Sequence, residues 1–181
     1  VNFDTSTKLI TTASNSVLNA GNMFSGTTAA TFTIEVWFKI TATSSGYSNL
    51  AAANVVPTSG GFAVYIQQPG SNNDFDMAKY YGSNSSSAIL TNVFNQIVFG
   101  ATGSTIFMFI NGGHPSTGAY STNSASNTVN FGSSNLYFGS FSGGTSSLLG
   151  ELGIIRIYDD VLTLTDVQTN YNANKAEFGL S

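Results

Sequence analysis

The sequence predicts an all-β protein of the β-sandwich type, and three observations carry that reading. Apolar and polar residues alternate with a period of two over ten residues from Thr31 to Ile40, and again over several shorter runs. Clusters of Gly, Ser, Asn and Pro separate those runs as turns would. No helical pattern intervenes between them, which disfavours a parallel α/β sheet and favours a sandwich of about ten short strands.

Along the chain, strands are expected at Lys8–Thr12 and Ser16–Phe24, then at Thr31–Ile40. In the last of these Phe32, Ile34, Val36, Phe38 and Ile40 share one face, with Thr33, Glu35, Trp37 and Lys39 on the other. Asn49–Ala53 follows, then Gly61–Gln67, where Phe62, Val64 and Ile66 oppose Ala63 and Tyr65. Phe75–Tyr80 and Asn95–Gly100 come next. Thr105–Asn111 is apolar on both faces, as a strand covered on both sides would be. Asn111-Gly112 tolerates positive φ and reads as a hairpin-type turn. Thr128–Phe131, Ser134–Gly139 and Leu148–Tyr158 complete the set. One helix is expected near the end of the chain. Thr163 or Thr165 would cap it, Asp166 three positions after Thr163 makes a partial capping box, and Leu164, Val167 and Tyr171 form the apolar stripe. Lys175 falls where the helix dipole favours a cation. No linker or internal repeat divides the chain, so residues 1–181 read as one domain.

Composition narrows the function. Of 181 residues, 41% are hydrophobic and only 8% charged, against about 25% in an average domain. Gly, Ser, Thr and Asn supply 84 residues, and these fill turns and outward strand positions. Five Lys/Arg against nine Asp/Glu give a net charge of −4, which leaves no basic footprint for nucleic acid. No apolar run approaches the roughly 20 residues of a transmembrane helix. Hydrophobicity is too high and net charge too low for disorder. The absence of cysteine excludes disulfides, thiol catalysis and Cys-ligated zinc. Val1 to Ala30 lacks a basic start followed by an apolar stretch, so no signal peptide is expected there.

Three segments in order resemble the LamG-like (concanavalin A-like) jelly-roll domains. Phe32-Thr33-Ile34-Glu35-Val36-Trp37-Phe38-Lys39 is similar to the family's F-T-(I/V)-E-x-W-(V/F)-K strand. Asn95-Gln96-Ile97-Val98-Phe99 followed by Ile106-Phe107-Met108-Phe109-Ile110-Asn111-Gly112 resembles its hairpin ending in N-G. Leu149 to Tyr158, then Val161 to Val167, resembles its G-x-(I/L)-x-x-(I/V)-R-(I/V)-Y strand and the helix start after it. Val93-Phe94 stands where many members carry Trp-His. The segment from Val167 to Leu180 is similar to an ending found in LamG-like domains of tailed-bacteriophage structural proteins, with Glu177 in place of a basic residue. The resemblance implies a two-sheet antiparallel jelly-roll sandwich whose last strand returns beside the first, with the helix as a structural cap.

Candidate chemistry is sparse. Hydrolases of this fold carry E-x-D-x-x-E on one strand, and this sequence has no such triplet. Asp74 and Asp76 are spaced to share a strand face, and Glu35 and Glu151 are the long-range alternatives for a carboxylate pair. The sole histidine, His114, falls in a loop with no second His or Cys to join it. No catalytic residue is therefore assigned. Asp74 and Asp76, beside Asn72 and Asn73, are the residues that would hold a calcium ion; no other cofactor is expected. Trp37, Tyr65, Tyr80 and Tyr81 are the candidate ligand or partner surface, with packing in a second layer the alternative for Trp37. The leading functional expectation is a non-enzymatic phage virion protein, a capsid decoration or cement protein that binds the major capsid protein or its own copies. The alternative is an extracellular carbohydrate-binding, lectin-like module, calcium-dependent or not.

Overall fold

The computed structural model describes residues 2–3, 9–11, 31–41, 47–53, 62–67, 74–77, 90–102, 105–113, 121–124, 136–139 and 147–181. They form eleven strands and one helix. The strands are β1 (Asn2–Phe3), β2 (Leu9–Thr11), β3 (Thr31–Ile40), β4 (Tyr47–Ala53), β5 (Phe62–Gln67), β6 (Asp74–Met77), β7 (Phe94–Thr102), β8 (Thr105–Ile110), β9 (Ser121–Ser124), β10 (Leu136–Phe138) and β11 (Gly150–Tyr158). The helix is α1 (Leu164–Asn174). The expected strands at Ser16–Phe24 and Thr128–Phe131 lie outside the described residues. β1 and β9 were not expected: β1 is two residues long and β9 is entirely polar, so neither carries an alternation.

Two antiparallel sheets build the sandwich expected from the sequence. One has six strands in the order β1-β11-β3-β7-β8-β9, and the other has five in the order β2-β10-β4-β5-β6. The last strand, β11, returns between β1 and β3. The period-two pattern of β3 places Phe32, Ile34, Val36, Phe38 and Ile40 inside the sandwich. Ile97, Phe99, Met108 and Ile110 lie beside them on β7 and β8, and Leu50, Ala51, Val64, Leu136 and Phe138 meet them from the five-stranded sheet. Each of these side chains larger than alanine contributes about 1.5–3 kcal/mol by leaving water.

The outer face of the six-stranded sheet is buried too, because the chain after β11 folds back over it. Val98, Phe107 and Phe109 pack there with Val167 of the helix and with Val161 and Leu162. That second layer explains why β8 is apolar on both faces. At the other end Trp37 stacks on Tyr171, with ring centroids 5.6 Å apart, and on Phe178, 4.7 Å apart, and Phe178 in turn meets Phe94. The two aromatic rings from the C-terminal segment rest on glycines. A Cβ at Gly153 would lie 2.7 Å from the Phe178 ring, and one at Gly112, where φ is +77°, would lie 3.1 Å from that of Tyr171.

Between the apolar and aromatic ends sits a polar centre around Glu35, which is 0% exposed. Oε1 accepts from Trp37 Nε1 at 2.8 Å, Gln96 Nε2 at 2.9 Å and Arg156 Nη1 at 3.0 Å. Oε2 accepts from the Tyr158 hydroxyl at 3.1 Å and from Asn170 Nδ2 at 3.0 Å. Arg156 also donates to Asn174 Oδ1 at 3.2 Å, so Asn170 and Asn174 tie the helix to the sheet. A β-bulge between Leu152 and Ile155 makes this meeting happen. One extra residue in β11 shifts its phase, so Ile155 and Ile157 turn inward while Arg156 faces Glu35 across the ladder. Without that residue Arg156 would point into the core.

The helix begins as expected from Thr163. The Thr163 hydroxyl accepts from the Asp166 N–H at 3.3 Å, while Asp166 accepts from the Thr163 N–H at 2.9 Å, a complete capping box. Hydrogen bonds from the Thr163 side chain and backbone hold the exposed Asp166 carboxyl below its usual range. Lys175 is the C-cap, its N–H donating to the Tyr171 carbonyl. Burial, then the Glu35 charge and hydrogen bond, push the Tyr158 hydroxyl above its ordinary value.

Three outcomes follow for stability. Glu35→Ala, which strands several buried donors at once, should cost about 3–5 kcal/mol in chemical denaturation, the range for breaking a buried pair. Thr163→Ala should cost about 1 kcal/mol in the same assay through loss of the cap. The Tyr158 contribution is complete below pH about 10 and is lost as pH rises from there through its raised value. Tyr158→Phe should therefore flatten the alkaline limb of the stability curve, with Tyr171, raised by burial, contributing to what remains.

Candidate functional site

The two sheets differ in what lies on their outer faces. The six-stranded sheet is covered by α1 and the segment after it. Among the described residues no element lies across the outer face of the five-stranded sheet. Its inner phase is set by the fully buried Val64, Ala51, Leu136 and Phe138. A bulge between Asn49 and Ala51 lets the adjacent Leu50 and Ala51 both face the core, and restores the outward phase at Ala52.

Strand register then groups particular residues on the outward face. Tyr47 pairs with Gln67, which pairs with Asp74. One step along, Asn49 pairs with Tyr65, which pairs with Asp76. One step further, Tyr137 pairs with Ala52, which pairs with Ala63. Strands spaced about 4.8 Å apart, and about 6.8 Å for every two residues along a strand, make this grid roughly 10 Å by 14 Å. It offers aromatic, amide and carboxylate residues in two rows. The third row holds two alanines and Tyr137, which is half-buried.

The residues singled out from sequence separate on this framework. Tyr65, Asp74 and Asp76 fall together in the grid. Trp37 does not. It is 0% exposed, clamped between Tyr171 and Phe178, with its indole N–H given to Glu35. As a ligand platform Trp37 is therefore withdrawn, because no face of the ring is left to a partner. Tyr80, Tyr81, Asn72, Asn73 and His114 lie outside the described residues. Asn49, Gln67 and Tyr137 were not selected from sequence, since only the pairing of strands shows that they share a face with Tyr65.

Neither long-range carboxylate alternative forms a catalytic pair. Glu35 is enclosed by five donors beneath the helix, and Glu151 is paired with Lys39. Asp74 and Asp76 bring two carboxylates to one strand. Calcium takes six to eight oxygens, and among the described residues no group of three or more His, Cys, Asp or Glu converges. These two residues alone fall short of a calcium cage. A cavity of about 300 Å³ lies on the opposite side of the molecule, lined by Phe107, Phe109, Val161, Leu162, Leu164 and three threonines. Its lining has no titratable group to orient a polar substrate.

Known proteins place this architecture. Among solved structures, the CBM40 carbohydrate-binding module of the Ruminococcus gnavus IT-sialidase superposes with a TM-score of 0.67 at 16% identity, covering 94% of this chain and 95% of its own. The same module bound to α2,3-sialyllactose gives a TM-score of 0.63 at 15% identity, with the same coverage. Domain 4 of AbnA, an extracellular arabinanase of Geobacillus stearothermophilus, in complex with arabinotriose, gives 0.57 at 14% identity, covering 81% of this chain and 69% of that one. These likenesses are of fold. A comparison with curated protein sequences finds no match. The model of one family, described as the concanavalin A-like lectin/glucanases superfamily, matches residues 10–168. With its strand order, returning last strand and capping helix now seen, the chain belongs to the concanavalin A-like lectin/glucanase superfamily.

Proposed function

We propose that this protein is a non-catalytic, lectin-like module that binds carbohydrate on the outer face of its five-stranded sheet. The observation that carries the reading is the register that sets Asn49, Tyr65 and Asp76 in one row, beside Tyr47, Gln67 and Asp74 in the next. A pyranose presents an apolar C–H face and a rim of hydroxyls. An aromatic ring suits the first, and amide and carboxylate groups suit the second, because an amide donates and accepts while a carboxylate accepts from two hydroxyls. A face about 10 Å by 14 Å accommodates two or three sugar units. The likeness to modules crystallised with sialyllactose and arabinotriose supports the same use of the fold. Such a module works outside the cell or at a surface. Among the described residues no helix is long and apolar enough to cross a membrane.

The capsid-decoration reading draws less support. It rested on the segment from Val167 to Leu180, and the described side chains of that segment have an intramolecular task. Val167, Asn170, Tyr171, Asn174 and Phe178 all turn onto the sheet beneath. A sequence pattern explained by packing within the chain carries no separate information about a capsid partner.

A glycan array followed by titration calorimetry checks the proposal. Tyr65→Ala should weaken binding about tenfold or more, ~1.4 kcal/mol, with the melting temperature little changed, as for a surface substitution. Repeating the titration with a chelator separates calcium-dependent from direct recognition. Absence of binding across the array, or full affinity in Tyr65→Ala, would overturn this assignment.

A further inference from the structure

We infer that the cavity on the outer side of the six-stranded sheet is a binding site for a small apolar ring compound, separate from the proposed glycan face. Its floor is β8, where Thr105, Phe107 and Phe109 stand two positions apart and share one side of the strand. The two phenyl rings meet edge to face, with centroids 6.0 Å apart and planes at 65°. Thr102 pairs with Thr105 across the hairpin, and both are exposed, so hydroxyl-bearing residues stand at the mouth. Val161, Leu162 and Leu164, between β11 and the first turn of α1, form the facing wall.

That wall is built rather than left over. Three consecutive N–H groups are engaged within the chain: Val161 donates to Asp160 Oδ1 at 2.7 Å, Leu162 to Thr33 Oγ1 at 3.1 Å and Thr163 to Asp166 Oδ2 at 2.9 Å. The buried Thr33 hydroxyl also donates to the Asp160 carbonyl at 2.6 Å, which pins the wall to β3. Leu164 rests on Gly113, where a Cβ would lie 2.6 Å from its Cδ1, and it stays 43% exposed. With its backbone donors engaged, the wall presents aliphatic side chains to the space. The enclosed volume is about 300 Å³, at the lower end for small-molecule sites. An apolar cavity of about 150 Å³ already takes benzene, so a single or fused ring fits here. Two phenyl rings set edge to face can receive a third ring by stacking or by its edge.

The probe is indole, titrated into the full chain while the methyl resonances of Val161, Leu162 and Leu164 are followed by NMR. These methyls should shift saturably, with a Kd on the order of 1 mM or below for so small a ligand. Those of Leu50 and Leu136, in the sandwich core, should not move. Leu164→Ala, at an exposed position, should weaken binding about fivefold or more. Val161→Phe, whose larger side chain occupies the space, should remove it; should that variant not fold, Leu164→Ala decides. Wall methyls that stay fixed at about ten times the expected Kd overturn the inference. Full affinity in Leu164→Ala, or shifts confined to the core methyls, overturns it as well. Sugar binding is read in a separate titration, and its failure leaves this site standing.

Discussion

The structure depends on one buried carboxylate. Glu35 sits in the middle of the central strand of the larger sheet with no exposure to water, and an isolated charge there would be prohibitive. Five donors from four elements make it tolerable: Trp37 on its own strand, Gln96 on one neighbour, Arg156 and Tyr158 on the other, and Asn170 on the helix. Because each donor must arrive at hydrogen-bond distance, Glu35 fixes the register of three strands and the seat of α1 together. An apolar residue could fill that volume, but it would not dictate which side chains face it.

Everything on the larger sheet's outer side answers to that constraint. The bulge in β11 turns Arg156 and Tyr158 toward Glu35. Gly112 and Gly153 leave room for Tyr171 and Phe178 to close over Trp37. Apolar contacts from Val98, Phe107, Phe109 and Val167 seal the other end. One outer face is consumed in this way, while among the described residues no element lies across that of the five-stranded sheet. The covered side also takes the chain's one arginine, Arg156, which serves Glu35 and Asn174 there.

Much of the fold was legible in the residues. The ten-residue alternation of β3 matched its observed bounds, because sheet faces impose a period of two and this strand is buried on both. The capping box at Thr163 was legible because its hydrogen bonds run between residues three apart. Other features were not. Four polar residues in β9 pair with β8, yet nothing in Ser-Thr-Asn-Ser alternates. The β11 bulge reverses the phase of a strand that reads as continuous, and Gly153 was its only local sign. The Glu35 cluster was not legible either, because its donors lie up to 135 positions from the acid, at Asn170.

The candidate site divides in the same way. Sequence alone established an antiparallel sandwich with a C-terminal helix, a scarcity of charge and a shortage of catalytic groups, since composition and periodicity are local properties. It also picked out Tyr65, Asp74 and Asp76. Only the tertiary structure decided that Tyr65 stands in register with Asn49 and Asp76, and that Trp37 of equal promise lies sealed beneath the C-terminal segment. Which residues share a face across strands is set by pairing register, and which face is covered by the helix is set by where the C-terminal segment lands. Both are long-range outcomes that no run of neighbouring residues encodes.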